Sequence, residues 1–117
     1  MTSPTSTEPG DLPAAIRSYL AAHAERDTDT ALRSFAADAV VVDDGRTFRG
    51  IDGVRDFLRS AGAEFRYTTT LIGCERLDDG AWIVRNRLEG DFPGGVADLA
   101  YGFTTDADRI TELVIAP

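Results

Sequence analysis

Cysteine is all but absent from this chain: Cys74 stands alone, so no internal disulfide can form and no cysteine cluster is available for zinc. Histidine is as scarce, with His23 the single example, and the carboxylates are scattered among turns. Neither a metal site nor a cofactor is expected. The first ten residues, MTSPTSTEPG, lack the basic start and apolar core of a signal peptide, and no apolar run approaches bilayer-spanning length. A reducing, cytoplasmic setting without a membrane partner is the expectation. Basic residues are in deficit, 12 against 20 acidic ones, and the net charge of -8 sets a phosphate-rich partner against repulsion. Nucleic acid is therefore not expected, the one compact basic group being Arg85 with Arg87 on a single predicted strand.

What is present suits one globular domain. The chain has 117 residues, 43% hydrophobic and 27% charged, with no composition break after residue 10. Residues 1–10 carry no apolar anchor to offset the entropy of ordering and read as a disordered tail. Asp11 is a plausible helix cap with Pro13 in the first turn. Leu12, Ile16, Tyr19, Leu20 and His23 then recur at helical steps and form one apolar stripe. Asp27 and Asp29 start a second helix carrying Ala31, Leu32 and Phe35. Val40–Val42 switch the chain to strand, and Asp43-Asp44-Gly45 turns it back through Thr47-Phe48-Arg49. Asp52 caps a third helix with Val54, Phe57 and Leu58 inward, and Gly62 closes it.

Period-two alternation then runs through Glu64 to Leu77, Ala81 to Glu89, Val96 to Thr105 and Arg109 to Ile115. Credible turns separate these runs at Asp78-Asp79-Gly80, Phe92-Pro93-Gly94-Gly95 and Asp106-Ala107-Asp108. Three helices before a four-strand meander predict an α+β domain over residues 11–117, its helices packed on one face of a strongly curved antiparallel sheet. Gly73 and Gly102, inside predicted strands, are candidates for the bulges that allow curling.

The order helix, helix, hairpin, helix, four strands resembles the nuclear transport factor 2-like superfamily, which includes SnoaL-like polyketide cyclases and ketosteroid isomerases. The segments Tyr19-Leu20-Ala21-Ala22, Arg26-Asp27-Thr28-Asp29 and Phe35-Ala36-Ala37-Asp38-Ala39-Val40 are similar to the family's first helix through first strand. Gly50-Ile51-Asp52-Gly53-Val54-Arg55-Asp56-Phe57 is similar to its third helix. The resemblance implies a cystatin-like cone with an internal pocket, and a homodimer formed through the outer sheet face. It also implies that the residue ending the first strand, here Asp43, points into the pocket. Ketosteroid isomerases, a well-known example of carboxyl tuning, use an Asp base with a Tyr and a protonated Asp as donors. Tyr19 and Asp43 are 24 residues apart, the same separation as in those enzymes, whereas the second acid falls at Leu99, which cannot donate. Asp98 is adjacent but points to the other face.

A carboxylate in an apolar cavity has its pKa raised by desolvation and becomes a better base near neutrality. Asp43 is thus the catalytic candidate and Tyr19 its hydrogen-bond donor. Against this, Asp is common in turns, and a stripe Tyr can be a core residue satisfied by a carbonyl. His23, one turn after Tyr19, is an auxiliary candidate or a rim histidine. Asn86 shares a strand face with Trp82, Val84 and Leu88, and one amide among apolar groups can orient a ligand. Phe57, Phe65, Tyr67, Thr69, Leu71, Leu99, Tyr101 and Phe103 complete the expected lining. Two functions stay open from the residues: proton transfer on a small apolar carbonyl compound by an isomerase or cyclase, or a non-catalytic ligand-binding or dimerisation module. A third, epoxide hydrolysis, requires Arg85 or Arg87 to share the pocket with Asp43.

Overall fold

A computed structural model of the chain describes residues 5–60, 67–77 and 79–117. Strand β1 (Thr5–Thr7) and a short 3-10 turn (Pro9–Asp11) lead into helix α1 (Ala14–Ala24) and helix α2 (Thr28–Arg33). Strands β2 (Phe35–Asp43) and β3 (Arg46–Arg49) form a hairpin before helix α3 (Gly50–Ser60). The meander β4 (Tyr67–Arg76), β5 (Trp82–Gly90), β6 (Val96–Asp106) and β7 (Arg109–Ala116) completes the chain. The α+β expectation holds, with three helices ahead of the meander.

Two expectations change. The segment read as a tail contains β1, which pairs antiparallel with β4 from Thr5 opposite Arg76 to Thr7 opposite Cys74. The free edge of β4 offers main-chain partners, and hydrogen bonding to an edge requires no apolar side chain, which is why composition gave no sign of it. The sheet is also mixed rather than antiparallel. Its order is β1-β4-β5-β6-β7-β2-β3, and β2 runs parallel to β7 from Val40 opposite Glu112 to Asp43 opposite Ile115. Alternation within a strand reports which face is buried, not the direction of a neighbour that lies far away in sequence; only strands joined by a short turn are bound to be antiparallel.

Local chemistry explains the boundaries. The Asp27 carboxylate accepts from the Thr30 amide at 3.2 Å and from its hydroxyl at 2.7 Å, capping α2 as expected. In the β2–β3 hairpin Asp43 pairs with Arg46, and Asp44 and Gly45 both adopt positive φ, 52° and 77°. This is the stereochemistry that a two-residue hairpin turn needs and that Asp-Gly supplies. Gly73 marks a register shift in β4 between Leu71 and Gly73, whereas Gly102 pairs regularly with Val114 and Ile83; the shift in β6 falls instead between Thr104 and Thr105. The end of α3 at Gly62, Phe65 and the first residue of the Asp78 turn lie outside the described residues.

The helices cover one face of the sheet. Ile16 and Tyr19 from α1, Val54 and Phe57 from α3, and Val41, Val84, Phe103, Ile110 and Leu113 from the sheet are fully buried together. The Tyr19 ring meets Phe35 and Phe103 edge-on, with centroids 5.4 and 5.7 Å apart. Such contacts add to the area term of burial. Phe103→Ala removes a ring at the centre of this cluster and is expected to lower unfolding free energy by about 3–5 kcal/mol in urea denaturation, with little change in slope.

Candidate functional site

The hairpin stereochemistry settles one question about Asp43. The left-handed positions are Asp44 and Gly45, so the turn does not depend on the Asp43 side chain. Asp43 instead ends a row that crosses the sheet: it pairs with Ile115, Ile115 with Tyr101, Tyr101 with Val84 and Val84 with Cys74. Directly paired residues share a face, and at about 4.8 Å per strand the Asp43 and Tyr101 backbones stand roughly 10 Å apart across Ile115. Both side chains line a cleft of about 460 Å³ together with His23, Phe57, Tyr67, Leu88 and Leu99. That volume lies within the usual range for small-molecule sites.

Asp43 is half-buried and makes no hydrogen bond among the described residues. Burial raises its pKa above the ordinary carboxylate value, Asp44 adds to the rise, and Arg46 on β3 opposes it. Burial likewise raises the pKa of the Tyr101 phenol, with Tyr67 and Asp43 contributing. Both groups line one cleft, and among the described residues no side-chain hydrogen bond is made by either.

His23 stands at the other wall. Its ring stacks on Tyr19 at 5.6 Å, and its Nε2 lies 3.3 Å from the Tyr67 hydroxyl. Arg26, at positive φ just past α1, stacks on the other side of this pair, its guanidinium 4.4 Å from the Tyr67 ring centroid. Burial and then Arg26 lower the His23 pKa, so the neutral imidazole is favoured.

Of the remaining expected residues, Trp82, Val84 and Phe103 are buried in the core and do not line the cleft. Tyr19 is fully buried as well. Its hydroxyl has no hydrogen-bond partner and is enclosed behind the cleft rather than lining it. Burial drives its pKa well above 10.0, and Tyr101, Tyr67 and Asp43 contribute in that order, which marks the hydroxyl as a neighbour of the cleft residues. Asn86 is buried on the helix-facing side but lines an adjoining concavity with Leu20, His23, Thr69 and Leu71.

Sequence reasoning missed Phe92 and Pro93 from the β5–β6 turn and Ile115 to Pro117 at the end of β7. Alternation with buried Leu113 could have found Ile115, and an aromatic inside a turn is itself a signal of contact. Arg85 and Arg87 lie on the opposite face. Arg85 Nε donates to Glu75 at 2.7 Å, and Arg87 Nε and Nη2 donate to Asp98 at 2.8 and 3.1 Å. The arginine–aspartate arrangement of an epoxide hydrolase is therefore not formed with Asp43, and Asp98 is turned away from the cleft as its parity predicts. Among the described residues no group of three or more His, Cys, Asp or Glu gathers to hold a metal ion. No helix among them is long and apolar enough to cross a membrane.

A cleft between helices and a sheet, with one carboxyl at the end of the strand before a helix-linked hairpin, is the plan of the nuclear transport factor 2-like superfamily. The chain belongs to the SnoaL-like domain family, whose match runs over residues 16–113. Among solved structures it is similar to a candidate polyketide cyclase from Sinorhizobium meliloti, 31% identical, with a TM-score of 0.86 over 94% of this chain and 100% of that one. A protein of ketosteroid isomerase-like fold from Catenulispora acidiphila, solved with trimethylamine, is 19% identical with a TM-score of 0.77 over 91% of this chain and 86% of that one. Rv0760c from Mycobacterium tuberculosis, solved with estradiol-17β-hemisuccinate, is 19% identical with a TM-score of 0.71 over 88% and 90%. No curated protein sequence matches.

The raised pKa of Asp43 carries a consequence for stability. A carboxyl whose folded-state pKa is raised favours the fold when protonated; that contribution is present below its ordinary value of 3.8 and is lost as pH rises through the raised value. Asp43→Asn is therefore expected to raise Tm at pH 7, with the gain shrinking as the pH falls through the raised value and gone below 3.8 in a calorimetric series.

Proposed function

We propose that this protein is a proton-transfer catalyst of the isomerase or cyclase kind, acting on a small, largely apolar carbonyl compound bound in the cleft. The observation that carries this reading is the placing of Asp43 and Tyr101, a carboxyl with a raised pKa and a phenol, in one cross-sheet row that lines an apolar-walled cleft. Binding of small organic molecules by proteins of the same fold supports it.

In this mechanism the Asp43 carboxylate takes a proton from the carbon next to the carbonyl, and the C–H electron pair moves onto the carbonyl oxygen. The Tyr101 hydroxyl donates to that oxygen as charge develops, and the buried Tyr19 hydroxyl, a neighbour of Tyr101 and Asp43, is the second donor. Preorganised donors in a water-poor site are the strongest single means of stabilising such a charge. Return of the proton from Asp43 to a different carbon completes an isomerisation; attack by the carbanion on a second carbonyl within the same molecule, whose oxygen then takes the proton back from Asp43, completes a cyclisation. Desolvation strengthens Asp43 as a base for the first step. The acid missing at Leu99 leaves oxyanion stabilisation to phenols, so carbonyls that are already activated, such as β-dicarbonyls, fit this site better than simple ketones. Homodimerisation and residence in the cytoplasm are compatible with this reading and are part of the proposal.

Asp43→Asn is expected to lower kcat by about 10²–10⁴-fold while leaving ligand affinity near the parent value; turnover retained in that variant removes Asp43 from the mechanism. The two tyrosines separate by a paired readout. Tyr19→Phe deletes a buried hydroxyl that has no partner, so stability is expected to hold or rise while kcat falls, a combination that a purely structural Tyr19 does not produce.

A further inference from the structure

Asn86 is the anomaly of the sheet. It lies at the centre of β5 with 2% of its surface exposed, its Nδ2 is enclosed, and its carboxamide makes no hydrogen bond among the described residues. Its directly paired cross-strand partners are Leu99 and Leu71, both apolar. An enclosed amide left unpaired costs about 1–3 kcal/mol, which an apolar residue of similar size would avoid. It borders a concavity of about 230 Å³ under α1, and that concavity shares its His23 wall with the main cleft. Leu99, paired directly with Asn86, lines the cleft from the same row. The partition between the two spaces includes the imidazole of His23, which stacks on Tyr19 and lies 3.3 Å from the Tyr67 hydroxyl.

We propose that the cleft and the concavity at Asn86 form one two-part binding site, in which the Asn86 carboxamide holds a polar group at the far end of the ligand. The inference rests on the reading of the cleft as a ligand site and adds the shape of its occupant. Asp43 on β2 and Asn86 on β5 are three strands apart, and Asn86 lies two residues along β5 from the Val84 of the Asp43 row, so the backbones are roughly 16 Å apart along the sheet at about 4.8 Å per strand and 3.4 Å per residue. A ligand touching both is elongated, on the scale of two or more rings, apolar along its length, and carries a hydroxyl or carbonyl at each end. Asn86 is then a specificity-determining residue, and His23 with Tyr67 yields to the middle of the molecule.

The test uses matched probes on the intact protein: trans-4,4′-dihydroxystilbene, polar at both ends, and trans-4-hydroxystilbene, polar at one, each titrated by calorimetry. The parent is expected to bind the dihydroxy probe about 3–10-fold more tightly, the yield of one added hydrogen bond. Asn86→Leu is expected to abolish that preference, keep the affinity for the monohydroxy probe, and unfold at the same or a higher temperature. Asn86→Ala serves as a second variant should the leucine crowd the site. Equal affinity of the two probes for the parent, or a preference that survives in both variants, overturns the inference while leaving the cleft as a ligand site. Binding of neither probe overturns the two-part site and the ligand reading of the cleft together, and loss of turnover in Asp43→Asn bears only on catalysis.

Discussion

The parallel pairing of β2 with β7 is the constraint from which the site follows. Without it Asp43 would be an acid at the tip of a hairpin. With it, Asp43 stands beside Ile115, and the antiparallel meander carries the same row onward to Tyr101. The long stretch of chain between β2 and β7, containing β3, α3 and the first three meander strands, is what permits a parallel neighbour, since no short turn can join one. The helices then cover this face of the sheet, and burial is the larger cause of the raised Asp43 pKa, with Asp44 adding to it.

The interior is satisfied unevenly. Its apolar groups pack as a core of this size should, with Tyr19, Phe35 and Phe103 interlocking. The Tyr19 hydroxyl and the Asn86 amide remain unpaired inside it. Native interiors hold few such groups, and each calls for an explanation. Tyr19 stacks on His23 and Asn86 shares a concavity with it, so two of the three such groups among the described residues neighbour the residue common to the cleft and its adjoining concavity, the third being the Thr7 hydroxyl on β1. A fold selected for stability alone would have placed phenylalanine and leucine there.

Much of the architecture was legible in the residues. The α1 stripe, the Asp27 cap, the Asp-Gly turn and the inward set Trp82, Val84, Asn86 and Leu88 all followed from periodicity and turn chemistry, because these are properties of neighbours along the chain. The direction of β2 against β7 and the β1 pairing were not legible, because both depend on main-chain groups meeting across long separations. The same division runs through the site. Asp43, His23, Tyr67 and Tyr101 were expected around one pocket from parity and resemblance, but the row that joins Asp43 to Tyr101 through Ile115 was not visible. Tyr19 and Asn86 were named too, and the structure places them behind and beside the cleft. The turn residues Phe92 and Pro93 carry no periodic signal and could be found only in three dimensions.

The three residues of β1 also bear on how the molecule behaves among its own copies. One border of the sheet ends in β3, whose Arg46 and Arg49 are exposed and charged, a familiar deterrent to strand addition. The other would end in β4, where Ile72 is 46% exposed at the register shift and follows the uncharged run Thr68, Thr69, Thr70 and Leu71. That border is closed over Cys74–Arg76 by Thr5–Thr7. Colloidal behaviour is thereby entrusted in part to a strand that contributes nothing to the core: a chain shortened past residue 7 keeps its cleft but bares the main chain of Cys74–Arg76, which lengthens the rim on which a second sheet can grow.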